Sequence, residues 1–138
     1  MEVITKNCAH INLKQINDEK DGVLCIAEQE KQIPFQIKRI YYIHSLKDKN
    51  AIRGYHAHKE LEQAIFCING SFKLMTNDGN KEQSFLLNNP NQGIYIGKEL
   101  WHTMDQFSQD CIILVFASDF FDESDYIRDY QEFLDYLD

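Results

Sequence analysis

Residues 52–87, IRGYHAHKELEQAIFCINGSFKLMTNDGNKEQSFLL, decide the fold class. Four short runs rich in aromatic, β-branched and other apolar residues occupy 52–58, 62–68, 71–76 and 82–87. Asn69-Gly70 joins the second run to the third, and Asp78-Gly79 joins the third to the fourth. Both dipeptides favour the positive φ of tight hairpins, so these runs are expected to pair as antiparallel neighbours.

The same reading extends outward. Further strand-like runs lie at 22–28, 35–43, 93–97 and 110–118, again with no helical pattern between them. Many short strands with close turns predict an all-β antiparallel barrel or sandwich spanning about 8–118. The pattern changes after Asp122, where Tyr126, Tyr130, Phe133, Leu134 and Leu137 fall on one stripe of 3.6-residue period. This predicts a short C-terminal helix over about 122–137, with Asp122 as N-cap and Glu123 and Asp125 in its first turn.

At 138 residues the chain is expected to form a single domain. Apolar residues make up 43% and aromatics 12%, enough for a packed core. The formal net charge of −8 is unevenly spread: residues 119–138 hold eight acids and one base, leaving 14 acids and 13 bases in residues 1–118. The body is near neutral and carries no basic stripe, so nucleic acid is not an expected partner. The acidic tail reads as the solvated face of the C-terminal helix. No apolar run approaches the roughly 20 residues needed to cross a bilayer, and the first residues show no secretory leader, so no membrane role is expected. Cys8, Cys25, Cys67 and Cys111 are scattered with no C-x-x-C pair, which fits reduced cysteines in the cytoplasm.

The densest chemical signal is Arg53-Gly54-Tyr55-His56-Ala57-His58-Lys59-Glu60-Leu61-Glu62. Residues two apart on a strand face one side, so His56 and His58 point together. Glu62 follows a short bend, and His102 supplies a third imidazole forty residues on. Imidazoles on an interior face are costly to desolvate unless they have work or partners. Two kinds of work suit them. Three histidines with a glutamate are a ligand set for iron, manganese, nickel or zinc. The same imidazoles, with pKa values near neutrality, are also acid–base catalysts without a metal.

The motif H-x-H-x-x-x-E with a distant His resembles the cupin signature, which implies a jelly-roll barrel. Four blocks narrow the resemblance: IPFQIKRIYYI (33–43), RGYHAHKELEQAIFCINGS (53–71), GIYIGKELWHTM (93–104) and FASDFFDESDYIRDYQEF (116–133). In this order they resemble the dTDP-4-keto-6-deoxy-D-glucose 3,4-ketoisomerases, which supply 3-amino-3,6-dideoxysugars for bacterial surface glycans. The resemblance implies a homodimer acting without a metal or other cofactor on a dTDP-linked 4-keto-6-deoxy sugar. Two adjacent imidazoles suit two neighbouring proton transfers, with His56 assigned as the base at carbon and His58 as the shuttle between oxygens, or the two roles exchanged. His102 or Tyr41 would stabilise the enediolate. Arg39 and Arg53 are the expected diphosphate ligands, with Glu62 as a further substrate contact. In Asp18-Glu19-Lys20-Asp21-Gly22 the chain departs from the family's small-residue turn with a basic residue, whose place falls to Lys20 or to Asp21. This segment and position 102 are where family members that make different C4 epimers are expected to differ. The rival readings are a metal-dependent cupin, either a dioxygenase or a metal isomerase, and a non-catalytic nucleotide-sugar binding module.

Overall fold

A computed structural model describes residues 1–138. In chain order the strands are β1 (Glu2–Thr5), β2 (Cys8–Asn12), β3 (Lys14–Asn17), β4 (Val23–Ile26), β5 (Arg39–Ile43), β6 (Arg53–His58), β7 (Gln63–Asn69), β8 (Phe72–Asn77), β9 (Glu82–Leu87), β10 (Gln92–Ile96), β11 (Trp101–Asp105), β12 (Ile112–Ala117) and β13 (Tyr126–Ile127). One helix, α1 (Tyr130–Leu137), ends the chain. A six-stranded sheet runs β1-β2-β10-β7-β12-β5, a five-stranded sheet runs β13-β6-β11-β8-β9, and β3 and β4 pair by themselves. Every ladder in these sheets is antiparallel; Asp78-Gly79 turns the β8–β9 hairpin as expected, whereas Asn69-Gly70 passes the chain from one sheet to the other, so β7 and β8 do not pair.

Side-chain alternation explains how the two large sheets meet. On β7, Ile65 and Cys67 face the interior and pack with Ile113 and Val115 of β12 and with Phe72 and Leu74 of β8. The intervening Ala64 and Phe66 face the other way and are covered by Ile33 and Phe35. Being buried on both faces, β7 reads as an almost unbroken apolar run. On the five-stranded sheet Ala57 and Trp101 face outward and are capped by Phe133 of α1 and by Ile127. The helix therefore seals the outside of the sheet that carries the histidines on its inside.

The helix starts later than its apolar stripe predicts. Asp122 caps only a 3₁₀ turn, Glu123–Asp125, by accepting from the Ser124 amide at 3.0 Å. Tyr126 and Ile127 then add a two-residue strand to β6, opposite His58 and Ala57. Asp129 is the true cap of α1, accepting from the Glu132 amide at 3.0 Å. The physical reason lies at Tyr126 and Ile127, which face opposite sides of the sheet. A period of two overrides the helical stripe there.

β6 and β11 pair through an irregularity. His102 lies opposite His56, yet Thr103 lies opposite Gly54, so Tyr55 is an extra residue on β6. Gly54 and Tyr55 both take positive φ, at 93° and 58°. A Cβ at Gly54 would lie 2.8 Å from the His102 carbonyl oxygen, so glycine is required for the close approach. At Gly22, with φ 103°, a Cβ would meet nothing within 4 Å. Gly54→Ala should therefore cost clearly more in chemical denaturation than Gly22→Ala, by about 1–3 kcal/mol. Equal losses would mean that the β6–β11 approach is not tight.

Candidate active site

Three imidazoles meet inside the barrel. His56 and His58 project from the inner face of β6, and His102 projects from β11 directly opposite His56. Ring centroids are 4.9 Å apart for His56–His58 and 4.6 Å for His56–His102. His58 and His102 are almost completely buried. β13 brings the Tyr126 ring to 4.5 Å from His58 and 4.9 Å from His56.

Each ring is oriented by an acceptor at Nδ1. His56 faces the Gly54 carbonyl at 3.1 Å, His102 faces the Leu100 carbonyl at 3.3 Å, and His58 faces Asp125 Oδ2 at 3.0 Å. Carbonyls and carboxylates only accept, so each Nδ1 carries the hydrogen and donates it. Each Nε2 then keeps its lone pair. Asp125 is itself fixed, with Oδ1 accepting from the Glu60 amide at 2.8 Å and Oδ2 from the Leu61 amide at 3.3 Å.

Burial sets the protonation states. Desolvation, aided by the neighbouring His58, holds His56 down at about 4. Desolvation also lowers His58, against the opposing pull of the Asp125 carboxylate. His102 lies well below the ordinary range through burial and its two imidazole neighbours. Burial pushes the Tyr41 hydroxyl up to about 12. At neutral pH the site holds three neutral imidazoles and an un-ionised tyrosine.

A cleft of about 220 Å³ opens onto His58 and Tyr126, walled also by Arg39, Leu61, Ser118 and Phe120, while His56, His102 and Tyr41 lie behind this wall. The Arg39 guanidinium lies 5.3 Å from the Tyr41 ring centroid and 5.9 Å from that of Phe121. Its Nε is buried without a hydrogen-bond partner. Tyr41 shares the inward side with Arg39 and donates to Gln63 Oε1 at 2.5 Å, whereas Tyr42 is 65% exposed on the outside. A larger depression of about 1130 Å³, between residues 44–49 and 106–112, touches none of the imidazoles.

Three expected site residues do not join this group. Glu62 faces the outer side of the sheet and accepts from the Tyr95 hydroxyl at 2.5 Å, since strand alternation gives the inward place to Gln63. Lys20 sits in the 3₁₀ turn at the tip of the β3–β4 arm and lines no part of the cleft. Arg53 is exposed at the start of β6, beyond the bulge. Its charge is close enough to act on Tyr41, but it is not a wall of the cleft. Asp125, Tyr126 and Gln63 join the site without having stood out in the sequence. The only local signal for Asp125 and Tyr126 is the alternation of Tyr126 and Ile127, two residues long and hidden within the helical stripe.

The lowered imidazole values couple folding to pH. The unfolded chain takes up protons near pH 6.5 that folded His56 refuses until about 4, so stability is complete above 6.5 and declines as pH falls through that window. Melting temperatures should drop between pH 7 and 5, and His56→Asn should shrink the drop. An unchanged pH dependence in that variant would mean that His56 titrates freely in the folded protein.

Known proteins are similar to this chain in sequence and in fold. The sequence matches the family described as FdtA: WxcM-like, C-terminal, over residues 6–138. It is 47% identical over 127 residues to the TDP-4-oxo-6-deoxy-α-D-glucose 3,4-oxoisomerase of Aneurinibacillus thermoaerophilus, covering 92% of this chain and 90% of that one. The structure is similar to a variant of the 3,4-ketoisomerase QdtA from Thermoanaerobacterium thermosaccharolyticum, solved with TDP-4-keto-6-deoxyglucose, at 42% identity, a TM-score of 0.92 and coverage of 96% and 95% of the two chains. A 3,4-ketoisomerase from Helicobacter canadensis matches at 46% identity and a TM-score of 0.90, covering 95% and 97%. A Mycobacterium tuberculosis epimerase, at 13% identity and a TM-score of 0.74, over 91% of this chain and 70% of that one, shares the fold alone. The chain therefore belongs to the sugar-nucleotide 3,4-ketoisomerases, enzymes built on a cupin-type antiparallel barrel.

Proposed function

We propose that this chain converts TDP-4-keto-6-deoxy-D-glucose to a TDP-3-keto-6-deoxyhexose by histidine acid–base chemistry that uses no metal. The observation that carries the mechanism is the convergence of neutral imidazoles, each with a free Nε2, beside an arginine whose buried Nε has no partner. The substrate is the one named for relatives that match nearly the whole chain.

The C3 hydrogen is acidified by the adjacent C4 ketone. His56 Nε2 takes it as a proton, and the C–H pair becomes the C3–C4 double bond of an enediolate. His58, held by Asp125, moves the hydroxyl proton from O3 to O4. Reprotonation at C4 leaves the ketone at C3, with no net change in atoms or electrons. Neutral His102, with its hydrogen on Nδ1, has none on Nε2 to give the enediolate. Tyr41, kept protonated by burial, becomes the donor when its hydroxyl turns from Gln63 Oε1 to the enediolate oxygen. Arg39 takes the diphosphate on its free edge.

Support for a metal-free route comes from the donor set. Glu62 is turned away, and no group of three or more His, Cys, Asp or Glu side chains is arranged to hold a metal ion. The product's keto group at C3 suits amination, which fits supply of 3-amino-3,6-dideoxysugars. A homodimer is supported by the β3–β4 arm, which leaves Ile16, Val23 and Leu24 40–53% exposed for a second copy to cover. The four cysteines are free, which supports a reducing cytoplasm, and no helix is long and apolar enough to cross a membrane.

The test is hydrogen exchange in deuterated buffer containing a chelator. The unmodified chain should turn over at full rate there. His56→Asn should lose both turnover and C3 exchange by about 10²–10⁴-fold, whereas His58→Asn should keep exchange and lose turnover. Asparagine limits damage to the barrel interior, and thermal melts identify unfolded variants. Exchange lost only from the His58 variant would swap the two roles. Normal turnover in both folded variants would remove the imidazoles from the mechanism. Activity lost to chelator and restored by one divalent metal would favour the metal-dependent rival.

A further inference from the structure

Facing the imidazoles from the other sheet is a buried side chain with donors that no group in the chain uses. Gln63 is 3% exposed, one of four buried polar residues with His58, His102 and Thr76. It points inward because Ile65 and Cys67, two and four residues further along β7, line the interior. Across the six-stranded sheet Gln63 lies opposite Ala117, and Ala117 lies opposite Arg39. Ala117 offers only a methyl group between the guanidinium and the carboxamide. The Tyr41 side chain reaches over it, and its hydroxyl donates to Gln63 Oε1 at 2.5 Å. That bond uses the carboxamide oxygen alone. Nε2, with two hydrogens, bonds to nothing in the chain, and on so buried a residue idle donors call for a partner from outside.

The isomerisation needs such donors at two oxygens. Negative charge develops first on O4, as the C3 proton leaves, and then on O3, once the hydroxyl proton has moved to O4. The imidazoles have no hydrogen to offer at Nε2, because each holds its one hydrogen on Nδ1. Thr76 lies across the ladder from His102, with its hydroxyl against Cys8 Sγ at 3.9 Å. Tyr41 has one hydrogen, enough for one oxygen. We propose that Gln63 Nε2 is the second donor, hydrogen-bonding the substrate oxygen that Tyr41 does not and stabilising the enediolate by direct contact. The bases then stand on the five-stranded sheet and the donors on the six-stranded sheet, with the reacting carbons between them. No proton leaves the carboxamide, so the balance of the reaction is unchanged. This rests on the ketoisomerase reading above and deepens it.

A double-mutant cycle with Tyr41 separates a donor to substrate from a group that merely holds Tyr41 in place. Gln63→Met should lower kcat and C3 exchange by about 10²–10³-fold, the usual cost of one donor to a developing oxyanion. Its affinity for TDP, which lacks the reacting oxygens, should match that of the unmodified chain and so show a folded site. Gln63→Glu keeps an oxygen for the Tyr41 hydroxyl but loses both N–H groups, so at neutral pH it should be at least as slow. In a Tyr41→Phe background, Gln63→Met should slow exchange by at least about tenfold more. Near-normal kcat in either folded variant, or TDP affinity falling in parallel with kcat, would overturn the assignment. So would a Gln63→Met loss that vanishes in the Tyr41→Phe background, since Gln63 would then act only through Tyr41. If the unmodified chain neither turns over nor exchanges the 4-keto sugar, the ketoisomerase reading fails and takes this proposal with it.

Discussion

Desolvation of three imidazoles around the β6–β11 pairing governs the design of this molecule. An imidazolium buried in this interior would lack solvent, and only at His58 does a carboxylate, Asp125, partly offset that loss, so the rings remain neutral and each must place its one hydrogen on an acceptor. The backbone meets that demand twice, through the Gly54 and Leu100 carbonyls, and Asp125 meets it once. The bulge at Tyr55 follows from the same demand. It lets the Gly54 carbonyl reach the His56 ring while His102 stays directly across the ladder. The outer side of the sheet is closed by Ala57, Trp101 and Phe133, so that one surface is packed against α1 and the other is reserved for chemistry.

The segment after β12 forms one side of the cleft. It leaves the barrel at Ser118, turns through Phe120 and Phe121, supplies Asp125 to His58 and Tyr126 to the imidazole stack, and then enters α1. By composition alone its acidity reads as the solvated face of a helix. Part of it is that, but Asp125 is a structural partner of the site, and Asp122 and Asp129 are caps. Local hydrogen-bonding needs place negative charge here more than the need for a soluble surface does.

Much of the barrel is legible in the sequence because its signals are local. Asp78-Gly79 lies at the expected hairpin and the eight strand-like runs all contain strands, but Asn69-Gly70 carries the chain from one sheet to the other, which no local signal distinguishes from a hairpin. His56, His58 and Tyr41 can be placed because strand alternation is a rule of period two. Glu62 is misplaced for the same reason: one residue of phase decides whether Glu62 or Gln63 faces inward, and the bend at Lys59–Leu61 hides that phase. Strands β1 and β2 escape notice because MEVITKNCAHIN mixes polar and apolar residues, and pairing with β10 on one side and β1 on the other makes a strand of β2. Asp125 is invisible to spacing altogether, because its partner lies 67 residues away and only the folded chain brings them together.

If buried, neutral imidazoles act as the bases, the acid limb of the rate profile must reflect their burial. The pH dependence of kcat/KM for TDP-4-keto-6-deoxyglucose reports the free enzyme's essential groups and so reads this out. The base works only when deprotonated, and burial holds His56 at about 4, so kcat/KM should stay level from neutrality down to about pH 5 and fall only as pH approaches 4. Circular dichroism across the same range checks that the fold persists. An acid limb centred at 6.5 or above, in protein that remains folded, would show an ordinary solvated imidazole and contradict the burial-based mechanism.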